Sequence, residues 1–273
     1  MKFWKTLTIS VIFCMMVALS SSAAPIEGVV LYLPFDEGEG DTAEDQSGNG
    51  NDGALMGNPE WVNGKFGKAL QFNGEENTNY VEIPDSPDLN PPEEISLTAW
   101  IFIDDFVPTG GIISKYIGAG NQRSYNLHMN HTPGAFAITS GVSSNGAFQA
   151  GVSTTSVSME NGTLVAGEWQ HVGMTFKASD FLRIYHNGEM KAEADAAATE
   201  SIFDNNVTLL IGTDFDVGGA HNGQAREFTG IIDEVAIFNR ALSDGEMMTV
   251  MEGNIMPVEY AGKLASTWAS IKR

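Results

Sequence analysis

The chain has 273 residues, 42% of them hydrophobic and 18% charged, a balance that supports a packed core and excludes a disordered composition. Its 35 acidic side chains outnumber 14 basic ones, giving a formal charge of −21. So acidic a surface repels phosphate backbones and anionic membranes, which sets nucleic acid aside as a partner and suits surroundings rich in calcium or salt.

The first stretch reads as an address. Lys2 and Lys5 precede an apolar run over residues 7–19, and residues 20–24 supply the small side chains of a cleavage site, placing the cut after Ala23. Residues 1–23 are thus expected to be a secretory signal peptide. The run is shorter than the roughly 20 residues a membrane span needs. Cys14 follows Phe13 and not the small residue that lipoprotein processing wants. It is also the only cysteine, so the mature chain, with a charge of −23 once Lys2 and Lys5 are gone, has no disulfide and depends on its core or on a bound metal.

From residue 26 onward, short alternating segments are separated by Gly, Asn, Asp and Pro, the pattern of a β-sandwich or barrel. The first strand is expected over 29–35 (VVLYLPF), followed by an acidic turn and the turn-rich loop 45–53 (DQSGNGNDG). Strands follow at 69–72 and 80–83. The most regular is 95–103, where Ile95, Leu97, Ala99, Ile101 and Ile103 share one face and Trp100 and Phe102 the other, so both faces should be covered. Shorter, more polar runs at 111–114, 125–129, 136–139 and 147–157 continue the series. Residues 169–176 and 181–186 are strands, and Asn187-Gly188 is the dipeptide most favoured in a two-residue hairpin, returning over 189–194. Runs at 207–211 and 228–238 complete the set. A short helix is expected over 242–251, with Ser243 as N-cap, Glu246 in the capping-box position and Gly253 at its end. Residues 24–253 read as one domain. In the tail, 254–273, Leu264, Trp268 and Ile271 recur at helical spacing beside Lys263, Lys272 and Arg273, the makings of a partner-binding amphipathic segment.

Residues 228–240 (FTGIIDEVAIFNR) pose a particular problem, because an apolar strand carries Asp233 and Glu234 at its centre. Strict alternation would put Asp233 with Ile231, Val235 and Ile237, and Glu234 on the opposite face with Ile232, Ala236 and Phe238. A buried unpaired carboxylate is too costly, so at least one acid requires a cation, a metal or several backbone N–H groups.

Taken in order, VVLYLPFDEGEG, DQSGNGNDG, GKFGKALQFNG, ISLTAWIFI, EWQHVGMTF with LRIYHNGE, and FTGIIDEVAIFNRALSDGEM resemble the laminin-G-like jelly roll of the concanavalin-A-like lectin and glucanase superfamily. The resemblance covers about residues 26–253. It implies an all-β fold, two antiparallel sheets in a curved sandwich with the first and last strands adjacent, ligands on the concave sheet or at rim loops, and in many members a structural calcium. With the terminal strands adjacent, Asp36, Asp45, Asn49 and Asp233 would furnish an oxygen cage for Ca2+. The superfamily's retaining glucanases carry E-x-D-x-x-E or E-x-D-x-x-x-E on one strand, with the acid and nucleophile about 5 Å apart. Here Glu193 and Asp195 take the first two positions, but Ala198 and Thr199 stand where the third acid belongs.

No G-x-S-x-G elbow or H-E-x-x-H pattern occurs. Sugars are held by Asp, Asn and Arg hydrogen bonds with aromatic faces against their C–H surfaces. Two loops contain those types: residues 115–128 with Tyr116, Asn121, Arg123 and Tyr125, and residues 213–226 with Asp214, Asp216, His221, Asn222 and Arg226. The functional expectation is a secreted, non-catalytic binder of carbohydrate or another extracellular ligand. The alternatives are a surface-adhesion protein that binds protein partners through the sandwich edge or the tail, and a glycan hydrolase, which the incomplete acid set disfavours.

Overall fold

The computed structural model describes residues 26–57, 59–74, 79–107, 109–130, 132, 134–214 and 226–255. The expected signal peptide and all of the tail beyond Ile255 lie outside these residues. The strands, in chain order, are β1 (Val29–Leu33), β2 (Thr42–Ala43), β3 (Gly53–Met56), β4 (Glu60–Asn63), β5 (Lys68–Asn73), β6 (Tyr80–Ile83), β7 (Glu94–Ile103) and β8 (Gly111–Ile117). They continue as β9 (Gln122–Met129), β10 (Ile138–Gly146), β11 (Thr154–Ser158), β12 (Trp169–Lys177), β13 (Phe181–His186), β14 (Glu189–Asp195), β15 (Leu209–Ile211) and β16 (Thr229–Phe238), before the helix α1 (Asp244–Met251).

Two antiparallel sheets form a jelly-roll sandwich. The first runs β14-β13-β12-β7-β16-β5-β4, with β1 also paired to β16; the second runs β11-β10-β9-β8-β15-β6-β3-β2. The terminal strands are adjacent as expected, Leu33 lying opposite Val235. One apolar core fills the space between the sheets, with Ile95, Leu97, Ala99, Ile101 and Ile103 from β7 facing Ile113, Leu127, Ile138 and Val142 of the second sheet. At Asn187 and Gly188 φ is +49° and +78°, the two left-handed residues of a type I′ turn, so the β13–β14 hairpin forms as its sequence predicts. β2, β3 and β4 were not expected; they are short and embedded among turn formers, and their alternation is too brief to register. No helix among the described residues is long and apolar enough to cross a membrane.

The outer face of the first sheet is closed by the segment that follows β16. Ser243 caps α1 and Glu246 reaches back to complete the capping box, while Arg240 holds Glu246 through two hydrogen bonds of 3.0 and 2.6 Å. The helix buries Met247 and Val250 against Tyr185, Ala236 and Phe238, with Leu242 and Ile255 sealing the ends. Trp100 donates its indole N–H to the Met251 carbonyl at 3.1 Å, and Tyr185 donates its hydroxyl to Asp244 at 2.8 Å. The second face of β7 is therefore covered by the C-terminal segment, not by another sheet.

The Asp233-Glu234 pair departs from the expected alternation. β16 pairs Asp233 with Trp100 and then Ala236 with Thr98, so Glu234 and Val235 together face one residue of β7. This is a β-bulge, and Glu234 adopts φ +53°, unusual for a residue with a side chain. The extra residue shifts the parity: Ile232, Val235 and Ile237 enter the central core, while Ala236 and Phe238 join the cluster under α1. Asp233, opposite Trp100, and Glu234, bonded to Tyr32, thus lie on the outer side together, correcting the assignment of one to each face.

Candidate functional site

The two carboxylates meet polar partners and not a catalytic arrangement. Asp233 Oδ2 accepts the N–H groups of Lys65 at 2.8 Å and Phe66 at 3.1 Å, and its Oδ1 accepts the N–H of Glu234 at 2.9 Å. This is the several-N–H solution that burial demands. Glu234 accepts the Tyr32 hydroxyl at 2.6 Å. Burial nevertheless pushes Asp233 up to about 7 and Glu234 up to about 8, with the neighbouring carboxylates adding to the effect. Glycines of the GKFGK segment permit the approach. A Cβ on Gly64 would stand 2.5 Å from Asp233 Oδ2 and 2.6 Å from the Lys68 carbonyl, and one on Gly67 would overlap Asp36.

The four residues expected to hold calcium fall into two groups. Asp36 and Asp233 flank the Lys65–Lys68 turn, where Asp36 Oδ1 accepts the Lys68 N–H at 2.8 Å. Asp45 sits in its own loop and accepts the N–H groups of Tyr32, Ser47 and Asn51 and the Ser47 hydroxyl at 2.8–3.0 Å. Asn49 turns its amide N–H toward the Val29 and Val30 carbonyls. Among the described residues no group of three or more His, Cys, Asp or Glu side chains is placed to hold a metal ion. The donor set does not fit a single cage, because N–H groups already occupy the carboxylate oxygens of Asp45 and Asp233 that a cation would use.

The outer face of the second sheet contains a cavity of about 460 Å³. Its floor follows from strand alternation. On β9, Tyr125, Leu127 and Met129 enter the core, so Asn126 and His128 face outward. Their lateral neighbours are small. Asn126 lies beside Gly141 of β10, which lies beside Ser156 of β11; His128 lies beside Thr139, which lies beside Ser158. Gly141 leaves the middle of this floor without a side chain, and the Asn126 amide oxygen accepts its N–H at 2.9 Å. Thr139 and Ser158 share a hydroxyl hydrogen bond of 2.7 Å.

The walls come from strand ends and loops. At one side Arg123 stands over the Tyr116 ring, its guanidinium carbon 5.6 Å from the centroid, as the β8–β9 pairing of the two residues dictates. Elsewhere along the lining, Asp214 is buried and accepts the Ser114 hydroxyl at 2.8 Å; its other oxygen lies 3.9 Å from an Arg226 nitrogen. Gly111 makes this wall possible, since any Cβ there would collide with the backbone of Thr213. Phe148, 56% exposed, supplies an apolar edge.

Of the expected ligand residues, the structure brings Tyr116, Arg123, Asp214 and Arg226 to this one cavity. Tyr125 is a correction: alternation turns it into the core, where its hydroxyl donates to the Leu89 carbonyl at 2.8 Å. Asn121 lies in the β8–β9 turn at φ +56° and does not line the cavity. Asp216, His221 and Asn222 lie outside the described residues. Sequence reasoning missed the floor residues Asn126, His128, Thr139, Gly141, Ser156 and Ser158. The signal available was the unusual Ser and Thr content of ITSGVSSNG and TTSVS, strands whose outward positions carry hydroxyls where a covered sheet would carry apolar groups.

The residues expected at the glucanase positions are elsewhere. Glu193 and Asp195 lie on the edge strand β14 of the first sheet, where Glu193 pairs with Arg183 at 2.6 Å and Asp195 accepts the Ala197 N–H.

Known folds bear out the architecture. The chain is similar to the binding domain of Paraclostridial Mosquitocidal Protein 1, with TM-score 0.64 and 14% identity over 82% of this chain and 52% of that one. Domain 4 of AbnA, a GH43 extracellular arabinanase from Geobacillus stearothermophilus solved with arabinotriose, gives TM-score 0.56 and 16% identity over 82% of this chain and 98% of that one. The binding domain of botulinum neurotoxin DC, solved with rat synaptotagmin II, gives 0.60 and 14% over 83% and 52%. The chain spans about half the length of the two toxin domains, and at these identities the likeness is one of fold. A comparison with curated proteins finds no match. The family profile described as the concanavalin A-like lectin/glucanases superfamily matches residues 74–247, more than half of the 273-residue chain. With the jelly roll in place and its motifs in order, the chain belongs to the laminin-G-like family of the concanavalin A-like lectin and glucanase superfamily.

Proposed function

We propose that this chain is a secreted, non-catalytic carbohydrate-binding module whose ligand occupies the cavity on the outer face of β8–β11. The observation that carries the proposal is the composition and position of that cavity. Its floor offers hydroxyl and amide groups, its walls two guanidinium groups, and its edges the rings of Tyr116 and Phe148. A sugar ring has the matching character, with hydroxyls to exchange hydrogen bonds around its rim and C–H faces to rest on an aromatic ring. The arabinotriose complex of the arabinanase domain, a jelly roll of nearly the same extent, supports a saccharide as ligand. The leader-like residues 1–23 support export. Glu193, held by Arg183 on the far edge of the other sheet, supports binding without hydrolysis.

The test is a glycan array followed by titration calorimetry on the best ligand. Replacing Asn126 by Ala, at the floor, is expected to weaken binding about ten-fold or more through loss of a buried hydrogen-bonding group. If instead no saccharide binds, and a protein partner is captured whose binding is indifferent to Asn126→Ala and Arg123→Gln, the adhesion alternative replaces this one.

A further inference from the structure

The inner side of the second sheet holds a group that the cavity does not use. Lys115 of β8 pairs with the core residue Tyr125 and turns inward, where it has no exposed surface. Lysine is among the side chains least often buried completely, and the interior tolerates it only with close partners. Its amine has three. Nζ lies 2.5 Å from the side-chain carbonyl oxygen of Asn205, 2.8 Å from the Asn205 backbone carbonyl oxygen and 2.9 Å from Asp85 Oδ1. Asn205 is buried and belongs to the segment between β14 and β15. Its Nδ2 donates to the Gln122 carbonyl at 2.7 Å and to the Lys115 carbonyl at 3.4 Å, which fixes the amide against the amine. Asp85 is anchored in turn by the Asn90 amide at 2.8 Å, and its side chain is 31% exposed, so the cluster reaches solvent there. An ion pair would need only Asp85, yet the shortest of the three contacts is to a neutral amide whose carbonyl carbon is electrophilic.

We propose that this cluster is a site of covalent self-modification, in which an isopeptide bond forms between Lys115 Nζ and Asn205 Cγ while Asp85 carries the protons. Before closure, Asp85 takes one proton from the lysine ammonium and leaves a neutral, nucleophilic amine. Burial favours that form, holding Lys115 below the ordinary lysine value even though Asp85 acts against the shift. The Nζ lone pair attacks Cγ and forms the new C–N bond. Asp85 relays a second Nζ proton to Nδ2, the Cγ–Nδ2 bond breaks, and the ammonia released takes up the proton first held by Asp85. One ammonium and one primary amide thus become a secondary amide and an ammonium ion, with no oxidant, reductant or cofactor. The bond closes a loop between residues 90 positions apart and ties β8 to the segment that precedes β15. A cross-link of that span constrains the unfolded chain as a disulfide does, and Cys14, in the expected signal peptide, is the only cysteine.

The experiment is intact mass spectrometry of the purified, denatured chain. The expected mass is below that of the sequence by one ammonia, and a tryptic digest should contain the Lys115 and Asn205 peptides joined as one species, uncut after Lys115. A mass equal to that of the sequence would overturn the proposal. So would loss of ammonia confined to a single peptide, as succinimide formation gives. Asp85→Asn keeps the size of the side chain and an acceptor for Asn90 but cannot take the proton, so it should show the uncyclised mass, a lower thermal midpoint and slower migration on a denaturing gel. Lys115→Met should also show the uncyclised mass. Closure unaffected by Asp85→Asn would overturn the proton-carrying role. Should either variant fail to fold, the wild-type mass and the joined peptide decide the matter alone.

Discussion

The two sheets present the same kind of face to the core and opposite kinds of face to the outside. On the first sheet, outward residues such as Trp100, Tyr185 and Phe238 are sealed beneath α1, and the acids Asp233 and Glu234 are buried. On the second, the outward residues of β9, β10 and β11 are Asn, His, Ser, Thr and Gly surrounding a cavity. A polar group in this fold therefore signifies different things according to what lies above it. Beneath the Lys65–Lys68 turn and beside Tyr32, Asp233 and Glu234 must be satisfied internally, which makes them structural; over the cavity, satisfaction can come from a ligand.

The strongest test of that contrast exchanges aromatic side chains for alanine on each face. Phe238→Ala, beneath the helix and with no exposed surface, should destabilise the protein by about 3–5 kcal/mol through lost burial and the cavity left behind. Phe148→Ala, beside the cavity, should change stability by about 0.5 kcal/mol or less and weaken ligand binding instead. Chemical denaturation reads the first and calorimetry the second. Equal stability losses at both sites would erase the distinction between the faces.

A smaller effect should come from the buried acid pair. Burial lifts Asp233 from 3.8 to about 7 and Glu234 from 4.5 to about 8, so between those limits the folded chain holds protons the unfolded chain has released. The stability contributed is complete below the unfolded values and lost as pH rises through 7 and 8. Stability should decline continuously from about pH 5 to about pH 9, most steeply below about pH 7 where both groups contribute. Glu234→Gln, which keeps an acceptor for Tyr32, should flatten that slope. A rise in stability over the same interval, or a slope untouched by the substitution, would show that the outer acids of the first sheet are not held as the structure shows.

The mildest perturbation loosens the cover itself. Ser243→Ala removes the capping box of α1 and should lower stability by about 1 kcal/mol. Because α1 lies on the first sheet, saccharide affinity should not change. A loss of affinity matching the loss of stability would mean that the covered face communicates with the cavity.

Local signals carried most of the fold. The five-fold alternation in β7 needed no tertiary information, the Asn-Gly hairpin turn followed from its φ requirements, and the helix cap followed from the spacing of Ser243 and Glu246. The bulge at Glu234 was not legible in the same way. Nothing in IIDEVAIF marks an extra residue, and the bulge falls where β16 exchanges β5 for β1 as its neighbour partway along its length. The candidate site was legible only in its walls. Tyr116, Arg123, Asp214 and Arg226 belong to residue types that bind sugars, but their convergence depends on β15 lying beside β8, and on Gly111 admitting the Thr213 backbone. The floor depends on lateral pairing across β9, β10 and β11, a long-range register that no single segment encodes.

By itself, then, the sequence determined the all-β class, the family, the core-facing residues of its regular strands and the closing helix, since each rests on periodicity or on neighbours a few positions apart. Only the tertiary structure decided which outward face is covered, on which side Asp233 and Glu234 emerge, and that two arginines 103 positions apart in the chain line one cavity. Those outcomes depend on which strands lie side by side and on what packs above them, and neither quantity is a property of any local stretch of chain.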